Sequence, residues 1–186
     1  MKYAALTFSS LIAMNLALMS FAEDIERAKP EKEHQWLNQF VGDWDTELEV
    51  PDSPTKCKGT MSARSLGGFW LVADYKGDMF GTPMSGVQSI GYDPKQKKYI
   101  GTWIDSVESH LYRYEGSVSA DGRTITLDAE GPDMTDPTKT GKYRDSYEFK
   151  SPDLIIATSS ALSADGKWKP FMTGKYTRVK RAVEPK

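Results

Sequence analysis

Cysteine occurs once and histidine twice in this chain of 186 residues. The single cysteine, Cys57, excludes an internal disulfide, so stability must come from packing. The two histidines, His34 and His110, exclude a three-histidine metal site, and a site using both would need added carboxylates. There is no nucleophile elbow, no phosphate-cradling glycine loop, no pair of cysteines at metal spacing and no His-x-x-x-His. No metal and no cofactor is expected. An excess of positive charge is also missing: 24 Lys and Arg stand against 26 Asp and Glu. These charges are scattered, and the basic group Lys175, Arg178, Lys180 and Arg181 reads as the solvated face of a last strand and tail. No nucleic-acid partner is expected.

Long apolar runs are absent except at the start. Lys2 precedes a stretch from Ala4 to Met19 that is apolar apart from Thr7, Ser9, Ser10 and Asn15. Ser20-Phe21-Ala22 then offers a small-x-small cleavage site, with Glu23 next. This pattern predicts a secretory signal peptide over 1–22 and a periplasmic or secreted protein after cleavage near Ala22. No cysteine lies at the cleavage point, which argues against a lipoprotein anchor. No second run approaches the roughly 18 residues of a membrane span. The mature chain is therefore expected to be soluble and to span no membrane.

Roughly 164 residues remain, enough for one domain with one core. Residues 23–30 read as a polar, flexible leader, 31–180 as a single barrel domain and 181–186 as a tail. Trp36, Leu37, Phe40 and Val41 form one helical stripe over Glu31 to Val41, and Gly42 stops that helix. From Trp44 the period changes to two. Trp44, Thr46, Leu48 and Val50 alternate with Asp45, Glu47 and Glu49, the pattern of a half-buried strand. Cys57 alternates with Gly59, Met61 and Ala63, which makes it a small inward hydrophobe. Ten strand-like runs follow one another through Val179. They are separated by turn chemistry such as Gly67-Gly68, Tyr92-Asp93-Pro94 and the twice-used Ser-Ala-Asp-Gly at Ser119 and Ser163. Only Gly131 to Gly141 is a longer loop, of the kind that covers a mouth or lines a site. Ten short strands in sequence order predict an all-β, up-and-down antiparallel barrel with a short N-terminal helix closing one end. Ten strands enclose more room than the eight that side chains just fill. A flattened two-sheet sandwich is the alternative.

The strongest local constellation spans Tyr99 to Tyr114. A two-residue turn at Val107-Glu108 would pair Asp105 with His110 and Trp103 with Tyr112. Tyr99, Gly101, Trp103, Asp105, His110, Tyr112 and Tyr114 would then share one face, with aromatic bodies and polar tips suited to orienting a ligand. An Asp105–His110 pair could act as general acid and base, but a cross-strand Asp–His pair near a hairpin end is more often a surface or rim contact. Further on, Tyr143, Asp145, Tyr147 and Phe149 share a face. A carboxylate there would need a partner, for which Arg64 and Arg178 are the candidates. Glu130 is a weaker candidate, and His34 is expected on the helix surface. The proposed ligand contacts are thus Trp103, Asp105, His110, Tyr112, Tyr114, Asp145 and Tyr147.

Several motifs in fixed order resemble a bacterial exported family of unknown function. These are His34-x-Trp36-Leu37, Gly42-x-Trp44, the run from Ser65 to Trp70, Gly91-Tyr-Asp93, Gly101-Thr-Trp103-x-Asp-Ser106, His110-Leu-Tyr-x-Tyr-Glu-Gly116, Leu127-x-x-Glu-Gly-Pro132 and Tyr143-Arg-Asp145. They cover nearly all of the mature chain. A looser similarity runs to the calycins, lipocalins and fatty-acid-binding proteins among them. There the tryptophan of the opening Gly-x-Trp closes the barrel floor under a basic residue of the last strand. The resemblance implies that role for Trp44 and Arg178. The short Pro51–Thr55 connection departs from fatty-acid-binding proteins, since it leaves no room for a helical lid. Ten-stranded haem-binding nitrobindins are similar in strand number, but Lys169 to Arg178 holds no counterpart of their haem histidine.

These readings predict an exported lipocalin-like barrel that binds or carries a small apolar or amphipathic molecule. An envelope interaction or structural protein is the alternative. A small-molecule enzyme would require Asp105, His110, Tyr112 and Asp145 to converge.

Overall fold

A computed structural model describes residues 28–51, 53 and 55–180. The expected signal peptide over 1–22, most of the expected leader and the expected tail 181–186 lie outside the described residues. The chain opens with α1, Lys32–Trp36, and continues as a 3-10 helix, Leu37–Phe40. Ten strands follow: β1 Gly42–Glu49, β2 Cys57–Leu66, β3 Trp70–Met79, β4 Thr82–Asp93, β5 Lys98–Asp105, β6 Tyr112–Val118, β7 Thr124–Pro132, β8 Thr140–Ser151, β9 Leu154–Leu162 and β10 Trp168–Arg178. Each pairs antiparallel with the next, and β10 returns to β1 from Trp44↔Arg178 to Glu49↔Thr173. The sheet is a closed barrel with no open edge, which rules out the two-sheet sandwich.

Alternation fixes the register. On β3, Leu71, Ala73 and Tyr75 are buried while Trp70, Asp74 and Lys76 are exposed. On β7, Ile125, Leu127 and Ala129 point inward. A slip of one residue would send each set to water. Cys57 is buried, as its phase predicts. The β9–β10 register shifts between Pro170 and Met172, at Phe171. Proline has no N–H to give the ladder and is tolerated at such a bulge.

The end of the barrel carrying Trp44 is plugged. The Trp36 indole N–H donates to the Gly122 carbonyl at 2.8 Å, and the Tyr99 hydroxyl donates to the Glu33 carbonyl at 3.0 Å. Both bonds tie the N-terminal segment to the barrel. Trp44 is fully buried, and its indole N–H donates to the Phe40 carbonyl at 2.8 Å. The Arg178 guanidinium lies 4.0 Å above the Trp44 ring. That stack contributes about 0.5–2 kcal/mol. The same guanidinium donates to the carbonyls of Val41 (2.6 Å), Gln39 (2.7 Å) and Pro152 (3.0 Å). Two of these are carbonyls at the end of a helix, which lack partners within it. Gly42 has φ +131°, and a Cβ on it would come within 2.7 Å of an Arg178 nitrogen. Only glycine fits there, because side-chain-bearing residues rarely adopt that φ and the space is taken.

His34 departs from its expected surface position. It is buried, accepts the Glu31 N–H at Nδ1 (3.0 Å), and packs edge-on against Phe69 and Tyr92 at 5.3 and 5.6 Å. Val41, predicted on the apolar stripe, is exposed instead. The cause is the change from α to 3-10 geometry after only five residues, which alters the angular phase of the stripe.

Candidate functional site

Side chains fill the Trp44 half of the barrel, where Phe40, Met61, Ile90, Ile125, Leu127 and Ile155 are fully buried. The other half encloses a cavity of about 860 Å³. This volume lies within the usual range for small-molecule sites, about 300–1,000 Å³. The cavity reaches the end formed by the β3–β4, β5–β6 and β7–β8 connections, where Phe80, Val107 and Met134 form an exposed apolar lip.

All seven predicted contacts line this cavity: Trp103, Asp105, His110, Tyr112, Tyr114, Asp145 and Tyr147. The expected Trp103↔Tyr112 register is present. Trp103 packs edge-to-face with Tyr75 at 5.1 Å. Its ring also lies over Gly86, where a Cβ would collide with it; Gly131 makes the same kind of bed for Tyr112.

The expected Asp105–His110 pair does not form. β5 ends at Asp105 and β6 begins at Tyr112, so the connection is longer than the predicted two-residue turn. One Asp105 oxygen accepts the N–H groups of Val107 and Glu108 at 2.9 and 3.1 Å, and the other accepts the Trp103 indole N–H at 2.8 Å. An aspartate that captures the backbone two and three residues on makes a turn of its own and stops the ladder. His110 instead stacks edge-on against Tyr112 at 4.7 Å, with Nε2 3.2 Å from the Glu130 carbonyl oxygen. The Glu130 carboxylate is exposed and 3.6 Å from Lys142. The acid–base reading therefore loses the pair that motivated it.

Asp145 sits on β8 among the buried tyrosines Tyr114 and Tyr147, further from water than Asp105 or His110. It accepts the Tyr114 hydroxyl at 2.5 Å and the Ser159 hydroxyl at 2.6 Å. Neither suggested arginine reaches it: Arg64 is exposed on the outward phase of β2, and Arg178 is engaged at the plugged end. Burial raises the Asp145 pKa above its ordinary value, while the Ser159 and Tyr114 hydroxyls act the other way. Beside it, Tyr75 donates to the Gln88 carbonyl oxygen at 3.2 Å, and the Gln88 amide donates to the Tyr147 hydroxyl at 3.1 Å. Burial pushes the Tyr75, Tyr114, Tyr147 and Tyr176 hydroxyls up, and of these Tyr75 and Tyr114 donate while Tyr147 accepts from Gln88. Burial, followed by the neighbouring Glu108, also raises Tyr112.

Sequence reasoning missed Tyr75, Gln88, Ser159, Phe171 and Tyr176. All but Gln88 line the cavity; Gln88 is buried and bridges two tyrosines that do. The signal for three of them was the strand phase. Tyr75 continues Leu71 and Ala73, Gln88 precedes Ile90 by two, and Ser159 follows Ile155 and Ala157. Phe171 carried no such signal, because it sits in the bulge. No group of three or more His, Cys, Asp or Glu among the described residues is arranged to hold a metal ion. No helix among them is long and apolar enough to cross a membrane.

Several solved structures are similar to this chain. Rv2717c from M. tuberculosis aligns with a TM-score of 0.55 at 13% identity, covering 82% of this chain and 100% of that one. The S-type phycobiliprotein lyase CPES from Guillardia theta aligns at 0.53 and 12% identity, covering 80% and 93%. A redesigned β barrel, mFAP1, solved bound to DFHBI, aligns at 0.41 and 15% identity, covering 80% and 100%. No curated protein matches the sequence. The family described as protein of unknown function DUF1579 matches residues 29–178, a span that takes in all ten strands, and the chain belongs to that family.

Proposed function

We propose that this protein binds a small, partly apolar molecule in the open half of its barrel. The observation that carries the reading is a cavity of about 860 Å³ with aromatic walls in a barrel whose other half is packed solid. A barrel serving only as a scaffold has no need for such a void, because an unfilled interior forfeits dispersion contacts. The polar groups at its base are held by one another, so they are preorganised to orient a ligand. Likeness to a phycobiliprotein lyase is consistent with a barrel that handles a small organic molecule. We further propose export, with residues 1–22 as the signal peptide.

Native mass spectrometry of protein purified from its own host tests the first reading. A bound mass is expected, and it should be lost in Ala129→Trp, which fills the cavity from a small inward position. An equally occupied Ala129→Trp protein would overturn the reading. N-terminal sequencing of the mature protein tests export: a start at Glu23 is expected, and retention of Met1 would exclude cleavage.

A further inference from the structure

We propose that the molecule bound in the cavity is an organic cation, an amine or quaternary ammonium group on an apolar body, with its charged end held among the tyrosines next to Asp145. This inference rests on the reading of the cavity as a ligand site and narrows the chemistry of its occupant.

The first argument is the charge on the wall. Asp145 lies deep, and Asp105, Glu108 and Asp133 lie toward the mouth. Among the described residues of the wall there is no lysine or arginine. A fatty acid, a phosphate ester or any other anion would enter a low-dielectric space that holds carboxylates and, besides His110 toward the mouth, no basic side chain. The wall's field favours a cation and raises its local concentration at the mouth.

The second argument is Asp145 itself. A carboxylate offers about four acceptor sites, and the Tyr114 and Ser159 hydroxyls use two. No cationic group among the described residues bonds to it. Its ladder partners are Leu127 on β7 and Ser159 on β9, so nothing in the strand pairing calls for a charge at this position. A buried carboxylate without a cation is costly. A carboxylate that two neutral hydroxyls hold in a cavity wall, with no cation from the chain, is a candidate functional position.

The third argument is the surrounding rings. Tyr75, Trp103, Tyr147 and Tyr176 form a connected edge-to-face group, with centroid separations of 5.1 Å for Tyr75–Trp103, 6.3 Å for Tyr75–Tyr176 and 6.2 Å for Tyr147–Tyr176. Aromatic faces attract cations through the ring quadrupole, and clusters of them suit alkylated ammonium groups, which shed water readily. The plugged end shows the same chemistry completed within the chain, where Arg178 covers Trp44. The cavity has the rings and the carboxylate, and the cation must come from outside.

Three probes with the same ten-carbon tail separate head-group charge from tail burial: decyltrimethylammonium, 1-decanol and decanoate, titrated calorimetrically below their aggregation limits. The cation is expected to bind at least about tenfold tighter than the alcohol, with decanoate weakest. Asp145→Asn should lower cation affinity by about tenfold or more and leave decanol within about twofold. Decanoate or decanol binding as tightly as the cation would overturn the cation assignment while leaving the cavity reading intact. Cation binding that persists in Ala129→Trp would place it on the acidic exterior and also overturn the assignment. If none of the three binds, both readings fall. The head-group order in the unaltered protein decides the question even if Asp145→Asn does not fold.

Discussion

The two ends of this barrel use the same chemical pieces to opposite effect. At the plugged end an indole, a guanidinium and three backbone carbonyls satisfy one another, and Trp44 is fully buried. At the open end tyrosines, a second indole and a buried carboxylate surround a void. The first end is complete and so stabilises the fold. The second is satisfied only among neutral hydroxyls and amides, and it keeps charge and ring faces toward an empty space. Residues that close a barrel and residues that equip it can thus be told apart by whether their partners come from the chain.

The largest expected effect breaks the plugged end. Trp44→Ala should cost about 3–5 kcal/mol, as truncation of a buried aromatic does, measured by urea denaturation. Gly42→Ala comes next at about 1–3 kcal/mol, from a positive φ and from displacement of the Arg178 guanidinium. A change below about 0.5 kcal/mol would show that Arg178 can move freely and that the lock is not tight.

The open end should respond in the other direction. Asp145 has a folded-state pKa above that of the unfolded chain, so the folded protein holds this proton more tightly. Stability from this carboxyl is therefore present below the ordinary carboxylate range and is lost as pH rises through the raised folded value. Asp145→Asn, which stays neutral, should gain about 1 kcal/mol at neutral pH without ligand. The gain should shrink as the pH falls from the raised folded value toward the ordinary carboxylate range and be gone below it, and denaturation at a series of pH values checks this. A loss of stability at neutral pH would mean that Asp145 belongs to the architecture, like Arg178. The smallest effect belongs to the lip: Met134→Ser should change stability by less than about 0.5 kcal/mol, because Met134 is largely exposed. Any larger consequence should appear only in ligand binding.

The strands were readable in the sequence because their logic is local and periodic, whereas the Trp44–Arg178 closure was legible only through the resemblance to the calycins. Gly42-x-Trp44 opens the first strand, Arg178 closes the last, and period-two alternation with turn residues counts the strands between them. The Trp103↔Tyr112 register was readable for the same reason. The Asp105–His110 pair was misread because a side-chain-made turn competes with the ladder, and residue spacing alone does not decide that contest. His34 was misread because its polarity outweighed its position, three residues before buried Leu37 and so on the same helical face. The suggested Arg64 partner for Asp145 could have been excluded from the sequence, since Met61 and Ala63 are inward and Arg64 lies on the opposite phase. The Tyr75–Gln88–Tyr147 chain was beyond reach. It joins β3, β4 and β8 across the interior, and Gln88 and Tyr147 meet only once the barrel closes.

Trp103 rests over Gly86 because glycine leaves the wall bare at that point. The hydrogen at this position acts as a gauge for the chamber. Any larger substituent there would swing the indole toward the axis and narrow the space before a ligand arrived. If the chamber takes a ligand as proposed, the size of molecule it admits would be set partly by a residue that stands behind the wall. Relatives that carry alanine or serine at this position should accept slimmer guests with no change to the surface those guests touch.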